Sequence, residues 1–389
     1  HCIFIWLGGG ASQIDTWDQK AKGDAKAKKP GSYYDGIDTA IPGVQVCEHL
    51  SRCAPLLDRF VPVRTVHHVD GGEHARATNR VHTGRPTAGT IIYPSIGSAV
   101  SHTKGPLNEA VPTYVLIGFP NVTRGPGFLG AAAGYVYLTD TSVGPAGFTR
   151  QPEITASRQA RREAFLGTIQ QGDADAAAAP RIIAEYEMAA ARAAVLAGPE
   201  FLDTFALDRE PAALREGYGG EFGQRLLLSR RLVERGVRFV QLYHRGWDEH
   251  NKLMSNIPKQ CRDVDQPQAA LVEDLAARGL LDETLVVWAG EFGRTVYGQG
   301  GLIEDYGRDH HGRCFSIWLA GGGVKQGFVY GRTDDYSYNV VENPVHVHDL
   351  NATLLHLLGV DHERLTYRFQ GRDFRLTDVH GHVVKAMLA

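Results

Sequence analysis

Apolar and polar positions along this chain fall into a repeated order: a helical stretch, a glycine, an apolar strand, then a polar loop. Residues 222–235 have helical spacing, Gly236 stops them, and the strand 237–243 (VRFVQLY) runs into His244-Arg245-Gly246-Trp247-Asp248-Glu249-His250. Residues 267–278 repeat the helix, Gly279 stops it, and 284–289 (TLVVWA) runs into Gly290-Glu291-Phe292-Gly293-Arg294. A third strand, 315–320 (FSIWLA), follows Arg308-Asp309-His310-His311, and a last helix at 348–358 is closed by Gly359. Toward the start, 2–7 is an apolar run ending in three glycines, 61–66 and 111–119 read as strands, and 74–82 reads as a helix ended by Gly84. This alternation predicts an α/β fold with a parallel sheet and crossover helices.

Between these elements, residues 18–45 read as a polar, Lys-rich surface loop, and 120–150 as Gly-rich and irregular. An Ala-, Arg- and Glu-rich stretch near 151–215 reads as a helical insert, with residues 182–196 as a surface helix. The whole of 1–389 is expected to form one domain, and no short repeat suggests a solenoid or propeller. No apolar run approaches the roughly 20 residues that span a bilayer. A net charge of −3, from 41 basic and 44 acidic residues, gives no reason to expect nucleic acid or an anionic membrane as partner. The five cysteines form no CxxC pair; Cys47 and Cys53 are either a bridge or small buried apolar residues.

In a parallel sheet, ligands bind outside the carboxyl ends of the strands, and the loops rich in histidine and acid fall mostly there. Asp248 and His250, two residues apart, can point to one side and share a divalent ion; the plain alternative is a surface loop. Of the adjacent His310 and His311, one is expected as a ligand and the other as a substrate contact or acid. Glu291 ends the most apolar strand between glycines, which permit close approach of an ion, and Arg294 can neutralise an anion. The alternative for that pair is a structural ion pair. Asp15, just past the first strand, is either a hard oxygen ligand or a turn cap. His67, His68, Glu73 and His74, with Arg76 and Asn79, complete the candidates. GxGxxG, Walker and GxSxG loops are absent in usable context, which argues against nucleotide binding and ordinary serine esterases.

The segments LGGGASQIDTWD, GGEHARATNRVHTGR, GWDEHN, AGEFGRT, GRDHHGRCFSIWLAGGGVKQG and VHDLNATLLHLLG, spread over residues 7–359, resemble the domain-of-unknown-function family numbered 1501. That family is related to the alkaline phosphatase and sulfatase superfamily. The resemblance implies a three-layer α/β sandwich, with a mostly parallel central sheet and helices on both faces. It also implies a site with one or two divalent ions (Zn, Ca, Mn or Mg) that cleaves anionic esters of small molecules or carbohydrates. Matched residue by residue, it places metal ligands at Asp15, Asp248, His250, Glu291 and His310. The nucleophile position falls on His74, at the head of the helix ending in His82-Thr83-Gly84-Arg85. His74 has no hydroxyl or thiol, so it is a nucleophile, a replacement ligand, or the mark of a site that only binds; the ligand role restores a four-ligand set. Arg294 and His311 are then expected to contact substrate. The resemblance implies export as well. A structural role in an exported complex, docking through residues 178–196, is a further expectation to weigh.

Overall fold

The computed structural model describes residues 1–86, 90–119, 125–139, 141, 144–145, 153–172, 193, 195–299 and 303–389. Eight strands form the central sheet: β1 (Cys2–Gly8), β2 (Phe60–His67), β3 (Tyr114–Ile117), β4 (Val136–Leu138), β5 (Phe239–Arg245), β6 (Leu285–Ala289), β7 (Phe315–Ala320) and β8 (Val345–His346). Their spatial order is β8-β2-β7-β6-β1-β5-β3-β4. Every neighbouring pair is parallel except those made by β7, which runs antiparallel to both β2 and β6.

The period of two along β1 divides the core. Ile3, Ile5 and Leu7 belong to one buried cluster, with Leu226, Leu271 and Leu275. Cys2, Phe4 and Trp6 belong to the other, with Val81, Val100, Leu350 and Leu354. Burial of each Ile, Leu or Phe side chain contributes on the order of 1.5–3 kcal/mol, so β1 is the anchor of both layers. The helices follow the same division. Of the helices α1 (His74–Thr83), α2 (Ile96–Lys104), α3 (Ala156–Gly172), α4 (Glu221–Glu234), α5 (Leu253–Ala277) and α6 (Val347–Leu357), α1, α2 and α6 pack on one face, and α4 and α5 on the other. The result is a three-layer α/β sandwich with a mostly parallel sheet, as expected.

Several elements differ from the expectation. The helix expected at 267–278 begins at Leu253 and holds two internal prolines, Pro258 and Pro267, which on sequence rules read as boundaries. The short strands β4 and β8 and the helix α2 were not expected at all. The irregular region 120–150 contains β4 and two single 3₁₀ turns at Gly127–Leu129 and Ala131–Ala133. Within the insert, α3 is followed by short helices at Pro199–Leu202 and Ala212–Tyr218. The surface helix expected at 182–196, and most of the docking segment 178–196, lie outside the described residues. All five cysteines are buried and free, so Cys47 and Cys53 are small core residues. Among the described residues no helix is long and apolar enough to cross a membrane.

The reversed direction of β7 matters for the site. Because β7 is antiparallel, its amino end lies at the edge where β1, β5 and β6 have their carboxyl ends. The loop 308–314, which precedes β7, therefore reaches the same edge as the loops that follow β5 and β6.

Candidate functional site

Three loops and the head of one helix meet at that edge. Glu73 caps α1, accepting hydrogen bonds from the Ala75 and Arg76 amides, and so fixes His74 as the first helical residue. Gly84, with φ of 70°, closes the other end. The loop after β5 carries Asp248 and His250, and Gly9 lets it close on β1. A Cβ at Gly9 would sit 2.3 Å from the Asp248 amide nitrogen, at a φ of 122° that side chains rarely adopt. The residues after β6 and before β7 pair as a short ribbon, Arg294 opposite His310 and Gly293 opposite His311.

The side chains converge on one oxygen. Asp248 Oδ1 lies 3.4 Å from His74 Nε2, 3.1 Å from His250 Nε2 and 3.3 Å from His310 Nε2. The Nε2 atoms of His250 and His310 are 3.0 Å apart. Ligand atoms of His74, Asp248 and His310 all lie within 4.8 Å of one another. Arg294 also donates to Asp248 Oδ1, at 2.6 Å. Partial burial opposes the charge on Asp248, but Arg294 and His310 outweigh it and hold its pKa down at about 2. Asp248 is about half exposed, whereas His310 is mostly covered, so the cluster opens to solvent on the carboxylate side.

Glu291 stands behind His74. It is 2% exposed, and its Oε1 accepts from the Gly9 amide at 2.8 Å and from His74 Nδ1 at 2.7 Å. An ionised carboxylate only accepts, so His74 carries its proton on Nδ1 and presents Nε2 to the cluster. The hydrogen bond to Glu291 raises the His74 pKa, against the effect of burial. His310 shifts the other way: burial, then Arg294, lowers its pKa.

Of the expected ligands, the structure brings together His74, Asp248, His250, Glu291 and His310, and leaves out Asp15. That residue is fully buried, and both its oxygens are taken. Arg308 Nε donates to Oδ2 at 2.5 Å and its second terminal nitrogen to Oδ1 at 2.9 Å; Ser12 Oγ and the Tyr33 amide complete the set at 2.7 and 2.8 Å. Asp15 holds Arg308, whose amide in turn bonds the Glu249 carbonyl at 2.9 Å. It positions the loops and is no ligand.

Arg294 is likewise corrected as a substrate contact. It is fully buried, and its donors reach the carbonyls of Gly9, Gly10, Trp247 and Arg308 besides Asp248. It ties four loops together, and with no exposed surface it is not open to an anion. His311 points away from His310, as neighbours in a strand do. Its Nε2 bonds the Tyr338 carbonyl at 2.7 Å, its ring stacks on Tyr338, and burial lowers its pKa, so it does not face substrate either. Glu73 is the helix cap, His68 Nε2 bonds the Glu291 carbonyl at 2.6 Å, and the His67 ring packs against His346. Arg76 pairs with Asp70, and Asn79 bonds the Arg85 carbonyl.

Sequence reasoning assigned no role to Arg308 or Gln13. Gln13 bonds both the amide and the carbonyl of Arg294, at 2.7 and 2.8 Å. Their only signal was position, since both lie in segments, GRDHH and ASQID, already noted for their neighbours.

Glu249 alternates with its neighbours and turns inward. It is 1% exposed, neither carboxylate oxygen has a hydrogen-bond partner, and burial pushes its pKa up to about 8. The folded chain thus holds a proton that an unfolded chain releases near its ordinary 4.5. The associated stability is complete below that value and is lost as pH rises towards about 8. Glu249→Gln is expected to raise the melting temperature at pH 8.5 and to leave it almost unchanged at pH 4, which a pair of thermal melts checks.

The fold and this edge define an α/β protein with a histidine–carboxylate centre at the carboxyl ends of its strands. The chain belongs to the family described as Protein of unknown function (DUF1501), whose model matches residues 1–388. No curated protein matches the chain. Solved structures similar to it include the lipoteichoic acid synthase LtaP from Listeria monocytogenes, with 10% identity and a TM-score of 0.39, covering 92% of this chain and 72% of that one. A sulfatase from Pseudoalteromonas sp. has 15% identity and a TM-score of 0.42, covering 93% and 68%. Alkaline phosphatase from the Antarctic bacterium TAB5 has 12% identity and a TM-score of 0.39, covering 92% and 98%.

Proposed function

We propose that His74, Asp248, His250 and His310 hold a divalent metal ion, and that the centre hydrolyses a phosphate or sulfate ester. The carrying observation is His74 Nε2: it is buried, aimed at the cluster, and has no hydrogen-bond partner. Two imidazole nitrogens at 3.0 Å, around a carboxylate at 3.1–3.4 Å, also suit a shared cation. Donor atoms of a tetrahedral zinc site, with bonds of about 2.0–2.1 Å, sit roughly 3.3 Å apart. Three imidazoles and one carboxylate favour zinc over magnesium or calcium, which prefer oxygen.

An ion there would supply a Lewis acid, making water acidic enough to react near neutral pH. The chain does the rest. Glu291 fixes the His74 tautomer, Arg294 holds the Asp248 carboxylate in place, and the open side of Asp248 admits the ester. Among the described residues no Ser, Thr or Cys side chain is hydrogen-bonded to the side chains of these four residues, and an imidazole stands at position 74, so this reading takes water as the attacking group. The ester class is supported by the resemblance of the chain's motifs to the phosphatase and sulfatase superfamily.

The lack of a hydroxyl or thiol at position 74 favours a second reading, a centre that binds an anionic ligand without turning it over. Metal analysis with turnover of aryl phosphates and sulfates separates the two. About one zinc per chain with chelator-sensitive hydrolysis is expected; metal with no turnover gives the binding protein, and no metal removes both. Replacing Glu291 by Gln is expected to weaken metal affinity about 10–100-fold, because an amide can turn a donor towards Nδ1 and disturb the tautomer. Competition with a fluorescent chelator reads that change.

A further inference from the structure

A cavity of about 790 Å³ opens at the same sheet edge, at the carboxyl ends of β3, β4 and β5, between the amino end of α4 and the side of α5. It is a neighbour of the histidine centre. Arg245 lines it, and Asp248 follows three residues later, so their backbones are at most about 11 Å apart. This volume suits a sugar or drug-sized ligand.

Its charges are unevenly matched. Arg225, Arg245 and Arg262 line it, against Glu221 and Asp263. Glu221 is occupied by Arg225. Arg245 and Arg262 have no ion pair among the described residues. Arg245 lies over the Phe119 ring with its guanidinium carbon 4.0 Å from the centroid, so its planar fork is held in place before any ligand arrives.

A third donor comes from His244. Its Nδ1 accepts the Trp247 indole N–H at 3.0 Å, and burial, then Arg225, lowers its pKa to about 4. A neutral ring that accepts at Nδ1 carries its proton at Nε2. That nitrogen is 3.8 Å from Asp263 Oδ2, too far for a hydrogen bond. The wall thus combines two unpaired guanidiniums, one imidazole N–H, an acid able to accept from hydroxyls, and aromatic faces.

We propose that this cavity binds a sugar unit bearing its own sulfate, phosphate or carboxylate group, beside the ester held at the histidine centre. The anionic substituent meets Arg245 and Arg262, and the ring hydroxyls meet His244 and Asp263. The proposal deepens the hydrolase reading and rests on it for the neighbouring ester, but sugar binding itself needs no metal.

An array of sulfated, phosphorylated and uronic-acid oligosaccharides, each beside its neutral counterpart, tests this on chelator-treated protein. At least one charged sugar is expected to bind ten times more tightly than its neutral form, and both R245Q and R262Q to lose that margin. These two arginines are surface residues, and unchanged thermal melts confirm that the variants fold. Equal retention of charged and neutral sugars, or an undiminished margin in either variant, overturns the proposal. Because the protein is metal-free, this result does not depend on the hydrolase reading, and the failure of one is distinguishable from the failure of the other.

Discussion

Alanine in place of His310 is expected to release the bound ion and to lower ester turnover by more than about 100-fold. The margin follows from position: removing partners that only orient ligands already costs about 10–100-fold. Removing an imidazole that faces both Asp248 and His250 costs more, since it takes away one of the four donors themselves. The fold should survive, because the His310 ring packs on His74 and His250 of the cluster and on the neighbouring Phe292. Elemental analysis, aryl-ester turnover and circular dichroism on the same sample check this, and a variant that keeps its metal would remove His310 from the ligand set.

Arg308→Met has the largest expected effect on stability. It would leave Asp15 buried, charged and without its bidentate partner, and truncating one side of a buried pair costs about 3–5 kcal/mol. Asp15→Ala together with Arg308→Met should cost less than the two single changes added, because the second removal has no charge left to strand. Denaturant unfolding of the four proteins measures that coupling. Asp15→Asn offers the companion result: it should weaken the fold and still allow metal to bind, as befits a residue that positions loops.

Part of the site was legible in the sequence. The strands before each loop were plain, because buried parallel strands are continuous apolar runs, as in CIFIWL and LVVWA. Asp248 with His250, at a spacing of two, pointed to one side, and the inward turn of Glu249 follows from the same alternation. The local pattern did not separate His310 from His311; the family resemblance favoured His310, and which of them faces the centre depends on the reversed strand β7. Nothing in the local pattern of FSIWLA marks that reversal.

Asp15 misled for a physical reason. An acid after the first strand of such a sheet lies where a ligand would lie, and its true partner, Arg308, is 293 residues further along the chain. Arg294 misled likewise. A guanidinium beside a carboxylate in a loop suits an anion site, and only the fold shows it buried and bonded to four backbone carbonyls. The early half of α5 was hidden by Pro258 and Pro267, whose rings a long, well-packed helix can tolerate.

Anomalous diffraction from crystals of the purified protein tests directly whether three histidines and one aspartate share an ion. Data on either side of the zinc absorption edge should show one strong peak within bonding distance of the Nε2 atoms of His74, His250 and His310 and of Asp248 Oδ1. A map without such a peak after growth in zinc, with His74 Nε2 bonded to water instead, would contradict it.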